Sequence, residues 1–489
     1  MLQLQDPVGM EEATDGPRHF RLAVGPDYLE PSAPLMSNFG PAPASPTGTP
    51  GAPLSPEEQR ATLTRVIWRL LPLLFFCYVI AYIDRINVGF AKLQLREVLG
   101  VTEEKFSSAY GLGAGLFFIG YFFFEVPSNL ILQRVGARIW IARIMIVWGI
   151  VSMAFMFLKG TTMFYAMRFL LGAAEAGFFP GVILYLTYWF PAHERARTVA
   201  MFVVGGVLVG VIDSPISGAL LNLHGFGGLA GWQWLFLIEG IPAVLMGLVI
   251  LLHLPNRPGD ARWLSPAQKA WIQGRLADDP VPSDHVARHG LIEIFTNGRV
   301  WLLCLLYFLM NVGGYGYELW LPSIIKGLSI TNTFVIGIIN AVPYFAAGVV
   351  MIVVARYSDQ TGERRLVVAL AALTAAIGFA FSAWFQNPYL AMAALTLAFI
   401  GIKSTIAPFW AMTTAFLGGT AAAAGIAFIN SVGNLGGFAG PYLVGVIKDQ
   451  TGSNVAALLL LGTALLGMAV FTLVLPKTLR PRPGGSGHE

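Results

Sequence analysis

Residues 66–91 read VIWRLLPLLFFCYVIAYIDRINVGFA. Between Val66 and Ile83 the only charge is Arg69, and then Asp84 and Arg85 stand side by side. An α-helix rises about 1.5 Å per residue, so roughly 20 apolar residues cross a bilayer. The stretch is long enough to be such a helix, and it carries an acid and a base where hydrocarbon is expected.

The rest of the chain agrees with that reading. Of 489 residues, 55% are hydrophobic and only 12% charged, about half the charge usual in soluble proteins, which is near 25%. The apolar residues gather in stretches of membrane-spanning length, so the composition points to a polytopic membrane protein. The basic pI reflects Lys and Arg at helix ends and does not indicate nucleic-acid binding. Cys77 and Cys304 both fall inside apolar runs and read as small buried hydrophobes, uninformative about redox compartment.

The organisation expected is a disordered, Pro- and Ser-rich tail over 1–62, a six-helix bundle over 63–254, a polar Pro-broken linker over 255–298, a second six-helix bundle over 299–476, and a short tail over 477–489. The tail has none of the marks of a signal peptide. Twelve spans are expected near 66–90, 107–128, 139–158, 162–188, 197–221, 233–253, 299–321, 334–354, 366–384, 389–411, 424–446 and 455–475. Lys and Arg are far more abundant on the side shared by both termini. That bias places the termini and the linker in the cytoplasm, with the protein in the cell (inner) membrane.

The halves echo one another 226 residues apart. Gly136 and Arg138 fall on Gly362 and Arg364, Phe190 on Phe416, Gly210 on Gly436 and Pro215 on Pro441. The shared offset predicts a duplicated six-helix unit, and in such proteins the substrate site lies where the repeats face each other near the bilayer midplane.

An unpaired charge at mid-helix costs about 2.5–3.5 kcal/mol on insertion scales. Asp84, Arg85, Arg168 and Glu175 would together cost on the order of 10–14 kcal/mol, comparable to the whole stability of a typical protein, about 5–15 kcal/mol. They must pair, face water, or both. Arg168 and Glu175 are seven residues apart, nearly two helical turns, so they share a face about 10 Å apart along the axis. Small residues around Glu175 let a neighbouring helix approach. Arginine stays charged at any physiological pH and grips a carboxylate bidentately. A carboxyl group held away from water loads a proton near neutrality. The two signs together suit a proton:organic-anion transporter, although buried pairs that merely stiffen the bundle are the competing reading.

PSNLILQRVGAR (127–138) and ARYSDQTGERR (355–365) resemble the cytoplasmic signature of major facilitator superfamily transporters, the first with Gln133 at the acid position and the second keeping Asp359. YIDRINVGFA (82–91), GYFFFEVPSN (120–129), RFLLGAAEAGFFPG (168–181) and GNLGGFAGPYLVG (433–445) together resemble the anion:cation symporter branch of that family, which carries hexonates, tartrate-like acids, phthalate and hydroxyphenylacetate. The resemblance implies an all-α membrane protein of twelve transmembrane helices in two six-helix pseudo-repeats, the major facilitator fold.

It also implies that the first and fourth spans line the central cavity. Asp84 and Glu175 then couple protons, while Arg85 and Arg168 organise them or the anion. Asn434 matches a substrate-contacting amide of the branch; Asn430, on the same face, is open to merely tying helices. The internal offset carries Arg85 onto Asn311 in the seventh span. Tyr315 nearby, Tyr82 and Tyr121 are as open to packing as to substrate contact. Lys403, in the cavity-lining tenth span, departs from the branch. It either anchors a second carboxylate of a diacid or aromatic acid, or pairs with an acid such as Glu318. Asp213 is expected to cap the turn before Pro215, and Glu125 to bond neighbouring helices.

No catalytic motif survives inspection. GIKST (401–405) lacks the glycine a phosphate-binding loop needs, since Leu397 stands there, and AHERAR (192–197) has no second histidine. No enzyme activity, cofactor or metal is expected. The partners expected are an organic carboxylate, protons and the lipid bilayer, with no nucleic acid, and the chain is expected to work as a monomer. The function expected is proton-coupled import of the carboxylate by alternating access. A proton-antiporting exporter on the same fold is the alternative, and a transport-inactive sensor a more distant one.

Overall fold

The computed structural model describes residues 54–191, 194, 205–277, 296–417 and 422–475. In chain order its α-helices are α1 (Pro56–Ile86), α2 (Val88–Leu99), α3 (Glu103–Val135), α4 (Ala137–Ala154), α5 (Gly160–Glu175), α6 (Phe178–Thr187), α7 (Gly205–Leu221), α8 (Gly231–His253), α9 (Pro266–Ala277), α10 (Gly298–Glu318), α11 (Leu321–Gly327), α12 (Thr333–Thr361), α13 (Arg365–Trp384), α14 (Pro388–Phe416), α15 (Ala422–Asn434), α16 (Gly436–Thr451) and α17 (Asn454–Val474). Ten helical stretches are long and apolar enough to cross a membrane, with α1–α2 and α5–α6 each counted as one. Adding α7 and the α15–α16 pair, the described residues make twelve crossings, six per half. An even number returns the end of α17 to the side on which α1 begins, here called the terminal side.

Capping chemistry sets the helix starts. Ser55 Oγ accepts from the Glu58 amide at 3.3 Å while the Glu58 carboxylate accepts from the Ser55 amide at 2.8 Å, satisfying two otherwise orphaned donors. The first helix therefore begins at Pro56, inside the stretch expected to belong to the tail; the remaining tail residues and 477–489 lie outside the described residues. Asn297, Asn332, Asn387 and Ser453 cap α10, α12, α14 and α17. The polar, Pro-broken linker contains α9, whose Ile272 is buried; its residues 278–295 lie outside the described residues. Its first residues dock on the N-terminal half: Trp263 stacks on Trp189 at 6.0 Å between centroids, and the Tyr185 hydroxyl donates to the Pro255 carbonyl at 2.8 Å.

Two spans expected as single helices are interrupted beside their charges. The first turns at Asn87, between α1 and α2. The fourth opens at Ala176 (ψ 132°) and Gly177 (φ 86°), directly after Glu175. A left-handed φ is cheap only for glycine, so Gly177 permits the break that leaves Glu175 at a helix C-terminus.

The halves meet along α3 with α16 and α7 with α12. Glycines make these contacts close: a Cβ at Gly111 would overlap the Pro441 carbonyl, and one at Gly218 the Thr333 carbonyl. Lipid gives helices no hydrophobic reason to associate, so close packing and hydrogen bonds carry the interface. Most such bonds lie on the side away from the termini. There Asp449 accepts from the Ser107 and Ser108 amides at 3.0 and 2.7 Å, and the Tyr110 hydroxyl donates to the Leu319 carbonyl at 3.2 Å. Toward the terminal side the Glu125 carboxylate accepts from Asn430 Nδ2 at 3.0 Å and Ser431 Oγ at 2.8 Å.

Candidate functional site

Asp84 and Arg85 are neighbours in sequence and diverge in space. Successive helical side chains point about 100° apart, and here that rotation separates two environments. Asp84, fully buried, turns into the N-terminal bundle, where its carboxylate accepts from Trp148 Nε1, from Ser152 Oγ at 2.5 Å and from Asn87 Nδ2 at 3.3 Å. Three donors replace the water such a carboxylate would need.

Arg85 turns the other way, into the interface between halves. Its Nη2 forms an ion pair with Glu175 Oε1, and its Nη1 donates to the Tyr315 hydroxyl at 3.2 Å. The guanidinium stacks over Phe117 at 5.4 Å and Tyr121 at 5.3 Å. Glu175 ends α5, where helix carbonyls add negative potential, so Arg85 answers both the carboxylate and the helix end. The pair is occluded, with side-chain exposure of 17% for Arg85 and 1% for Glu175.

Arg168 also lies against Phe117, its guanidinium 5.0 Å from that ring. Its Nη2 donates to the Ala114 carbonyl at 3.1 Å, while its Nε and Nη1 have no protein partner, nor have Arg85 Nε and Glu175 Oε2. Buried charged atoms rarely go unsatisfied, so two arginines with spare donors beside one carboxylate form an arrangement suited to an incoming anion.

A second pair lies in the C-terminal half. Lys403 Nζ donates to Glu318 Oε1 at 2.7 Å, and both are nearly buried, at 8% and 2% side-chain exposure. The Tyr82 hydroxyl, from the N-terminal half, lies 2.9 and 3.0 Å from the two Glu318 oxygens and 3.1 Å from Lys403 Nζ.

The structure thus brings Arg85, Glu175, Tyr121 and Tyr315 into one cluster and Tyr82 and Lys403 into another, with Arg168 against the first. Asp84 is set apart in the N-terminal bundle. Asn311 is used internally, its Nδ2 donating to the Gly433 carbonyl at 3.1 Å and tying α10 to α15. Asn434, half-buried at the end of α15, makes no hydrogen bond to either cluster. Asp213 does not cap its turn: it lies mid-helix in α7, and Ser217 Oγ stands 3.3 Å from its Oδ2 and 2.8 Å from Glu239 Oε1. An acid two residues before a proline reads as a cap site in sequence, whereas the partner across the bundle, Glu239, is invisible there. Glu318 was legible only as a possible mate for Lys403, because GYELW (316–320) gives no hint that Tyr82 meets it. In the loop signature, Arg364 Nη1 pairs with Asp359 at 2.5 Å, whereas Arg138, lacking that acid, donates from Nε to the Leu251 carbonyl at 2.5 Å. Among the described residues no group of acids, histidines and cysteines is placed to hold a metal ion.

The family model described as Major Facilitator Superfamily matches residues 74–441. A protein of Agrobacterium vitis named for tartrate transport is 48% identical over 432 residues, covering 88% of this chain and 98% of that protein. A quinolone resistance transporter of Acinetobacter baumannii is 40% identical over 416 residues, covering 85% of this chain and 95% of that one. Among solved structures, a D-xylose–proton symporter superposes with a TM-score of 0.70 at 16% identity, covering 84% of this chain and 98% of its own, a likeness of fold alone.

Proposed function

Because the chain belongs to the Major Facilitator Superfamily, and so is a multi-pass membrane transporter, we propose that it is a proton-coupled symporter importing an organic carboxylate. The inner membrane is its site, with both termini in the cytoplasm. The observation that carries this reading is the Arg85–Glu175 pair: a permanent cation, held by a titratable acid, in the interface between the halves.

In the mechanism, substrate carboxylate and Glu175 compete for the same guanidinium. A proton on Glu175 releases Arg85, and the anion takes its place, assisted by the unused donors of Arg168. Tyr315, Tyr121 and Tyr82 line the approach, and Lys403 offers a further cation. Asp84 acts indirectly: its protonation inside the N-terminal bundle, one residue from Arg85 on the same helix, tunes the coupling by Glu175 and adds no proton to the load. Opening of the terminal side, where Glu125 bridges to Asn430 and Ser431, delivers the load to the cytoplasm. A tartrate-like acid is the substrate class favoured by the Agrobacterium relative.

One observation favours the opposite direction: the Acinetobacter relative is named for drug resistance, which fits a proton-antiporting exporter. Adding tartrate to the outside of vesicles of known orientation separates the two. Alkalinisation of the medium supports symport, and acidification supports antiport.

A further inference from the structure

We propose that Glu318 and Lys403 form a second station at which a substrate carboxylate is exchanged for a proton, so that the site takes a dicarboxylate together with two protons. The proposal rests on the first station, Arg85 and Glu175, working as described above.

The two stations are built alike. Each is one glutamate and one cation, largely withdrawn from solvent, and each is crossed by a tyrosine from the opposite half. Tyr315 of the C-terminal half accepts from Arg85, and Tyr82 of the N-terminal half meets Glu318 and Lys403. Tyr82 and Arg85 are one turn apart on α1, and Tyr315 and Glu318 one turn apart on α10, so about 4.5 Å of helix rise separates the stations on each wall. That is the scale of a short diacid. A monoacid would leave one cation with its own glutamate.

The exchange balances. A substrate carboxylate that takes Lys403 leaves Glu318 buried without its cation, a state avoided when Glu318 binds a proton from solvent on the entry side. The other ionisable groups facing Glu318 are Tyr82, with Tyr78, Tyr315, Tyr317 and Tyr344 within electrostatic reach, and none replaces the lysine's charge. Neutral Glu318 donates to the Tyr82 hydroxyl, which accepts as readily as it donates. On the far side of the cycle the proton leaves, the ion pair re-forms, and the carboxylate departs. Two carboxylate charges and two protons move together, with no net charge.

The test is the plateau of labelled tartrate in proteoliposomes of the full chain, with membrane potential clamped to zero and the outside one pH unit more acid. Two coupled protons give an accumulation of about 100-fold and one gives about 10-fold, a tenfold factor per proton. The wild type is expected near 100-fold, and both Glu318→Gln and Lys403→Met near 10-fold. Each variant removes one titratable exchange, and either suffices if the other does not fold. A wild-type plateau near 10-fold, or variants that still reach 100-fold, overturns the second station. Absence of any pH-driven accumulation by the wild type, with tartrate counterflow intact, instead overturns the proton-coupled reading on which it rests. Failure to move tartrate at all, with uptake of a monocarboxylate intact, overturns the dicarboxylate assignment.

Discussion

Arg85 and Glu175 are ninety residues apart and meet in the interface between the two halves, the arginine just before the bend of the first span at Asn87 and the glutamate at the break of the fourth. The juxtaposition places a fixed positive charge and a titratable negative one where both halves can read them. Four consequences are measurable.

Arg85→Lys keeps the charge and loses the planar fork. Charge-assisted hydrogen bonds contribute about 1.5–3 kcal/mol, so tartrate affinity is expected to fall by roughly tenfold to a hundredfold. Titration calorimetry on purified protein reads this directly; unchanged affinity would remove Arg85 from the binding site.

Trp148→Phe is expected to act on Asp84 without touching the interface. It strips one of three donors from a carboxylate that is fully buried, and a lost partner of a buried charged group costs about 1–3 kcal/mol. The melting temperature should fall, the pH dependence of uptake should change, and the tartrate dissociation constant should stay within about threefold. A large loss of affinity would place Asp84 in the binding site itself.

Gly172→Val is expected to prevent folding. A Cβ at this position would overlap the Phe117 carbonyl of the neighbouring helix, and backbone cannot yield as a side chain can. Size-exclusion profiles of detergent extracts should lose the monodisperse peak, whereas Gly274→Ala, in open space on α9, should keep it.

Glu125→Ala removes the acceptor of two bonds between the halves near the terminal side. The population should shift toward a state open on that side. Cysteines introduced at that end should label faster with a membrane-impermeant maleimide applied from the cytoplasmic face. Equal rates would mean the bridge is not a closure contact.

The architecture was largely legible because the bilayer imposes it. Stretches of membrane-spanning length, a repeat at fixed offset and the loop signature leave little freedom, and the ion-bearing spans stand out because charge in lipid is expensive. The cluster was legible in part. Composition and helical spacing pointed to Arg85, Arg168 and Glu175, yet sequence adjacency suggested that Asp84 and Arg85 act side by side, and helix geometry sends them to opposite environments. Asn311 looked like a site residue from the repeat offset, but whether an amide binds cargo or the nearest carbonyl depends on a neighbour 122 residues away. The Tyr82–Glu318–Lys403 cluster joins three spans, and no local pattern records such a meeting. The bend at Asn87 and the break at Gly177 were hidden for a similar reason: asparagine and glycine permit a break, and only packing decides whether one occurs.

The most direct test of the central claim is Glu175→Gln, assayed in proteoliposomes for both uptake and exchange. A neutral amide at this position releases Arg85 permanently and has no proton to give back. Accumulation driven by one pH unit should therefore lose the roughly tenfold factor that Glu175 contributes, while tartrate–tartrate counterflow persists. Loss of both activities together, in a folded variant, or a pH-driven accumulation undiminished from the wild type, would contradict the assignment of Glu175 as the proton-carrying partner of Arg85.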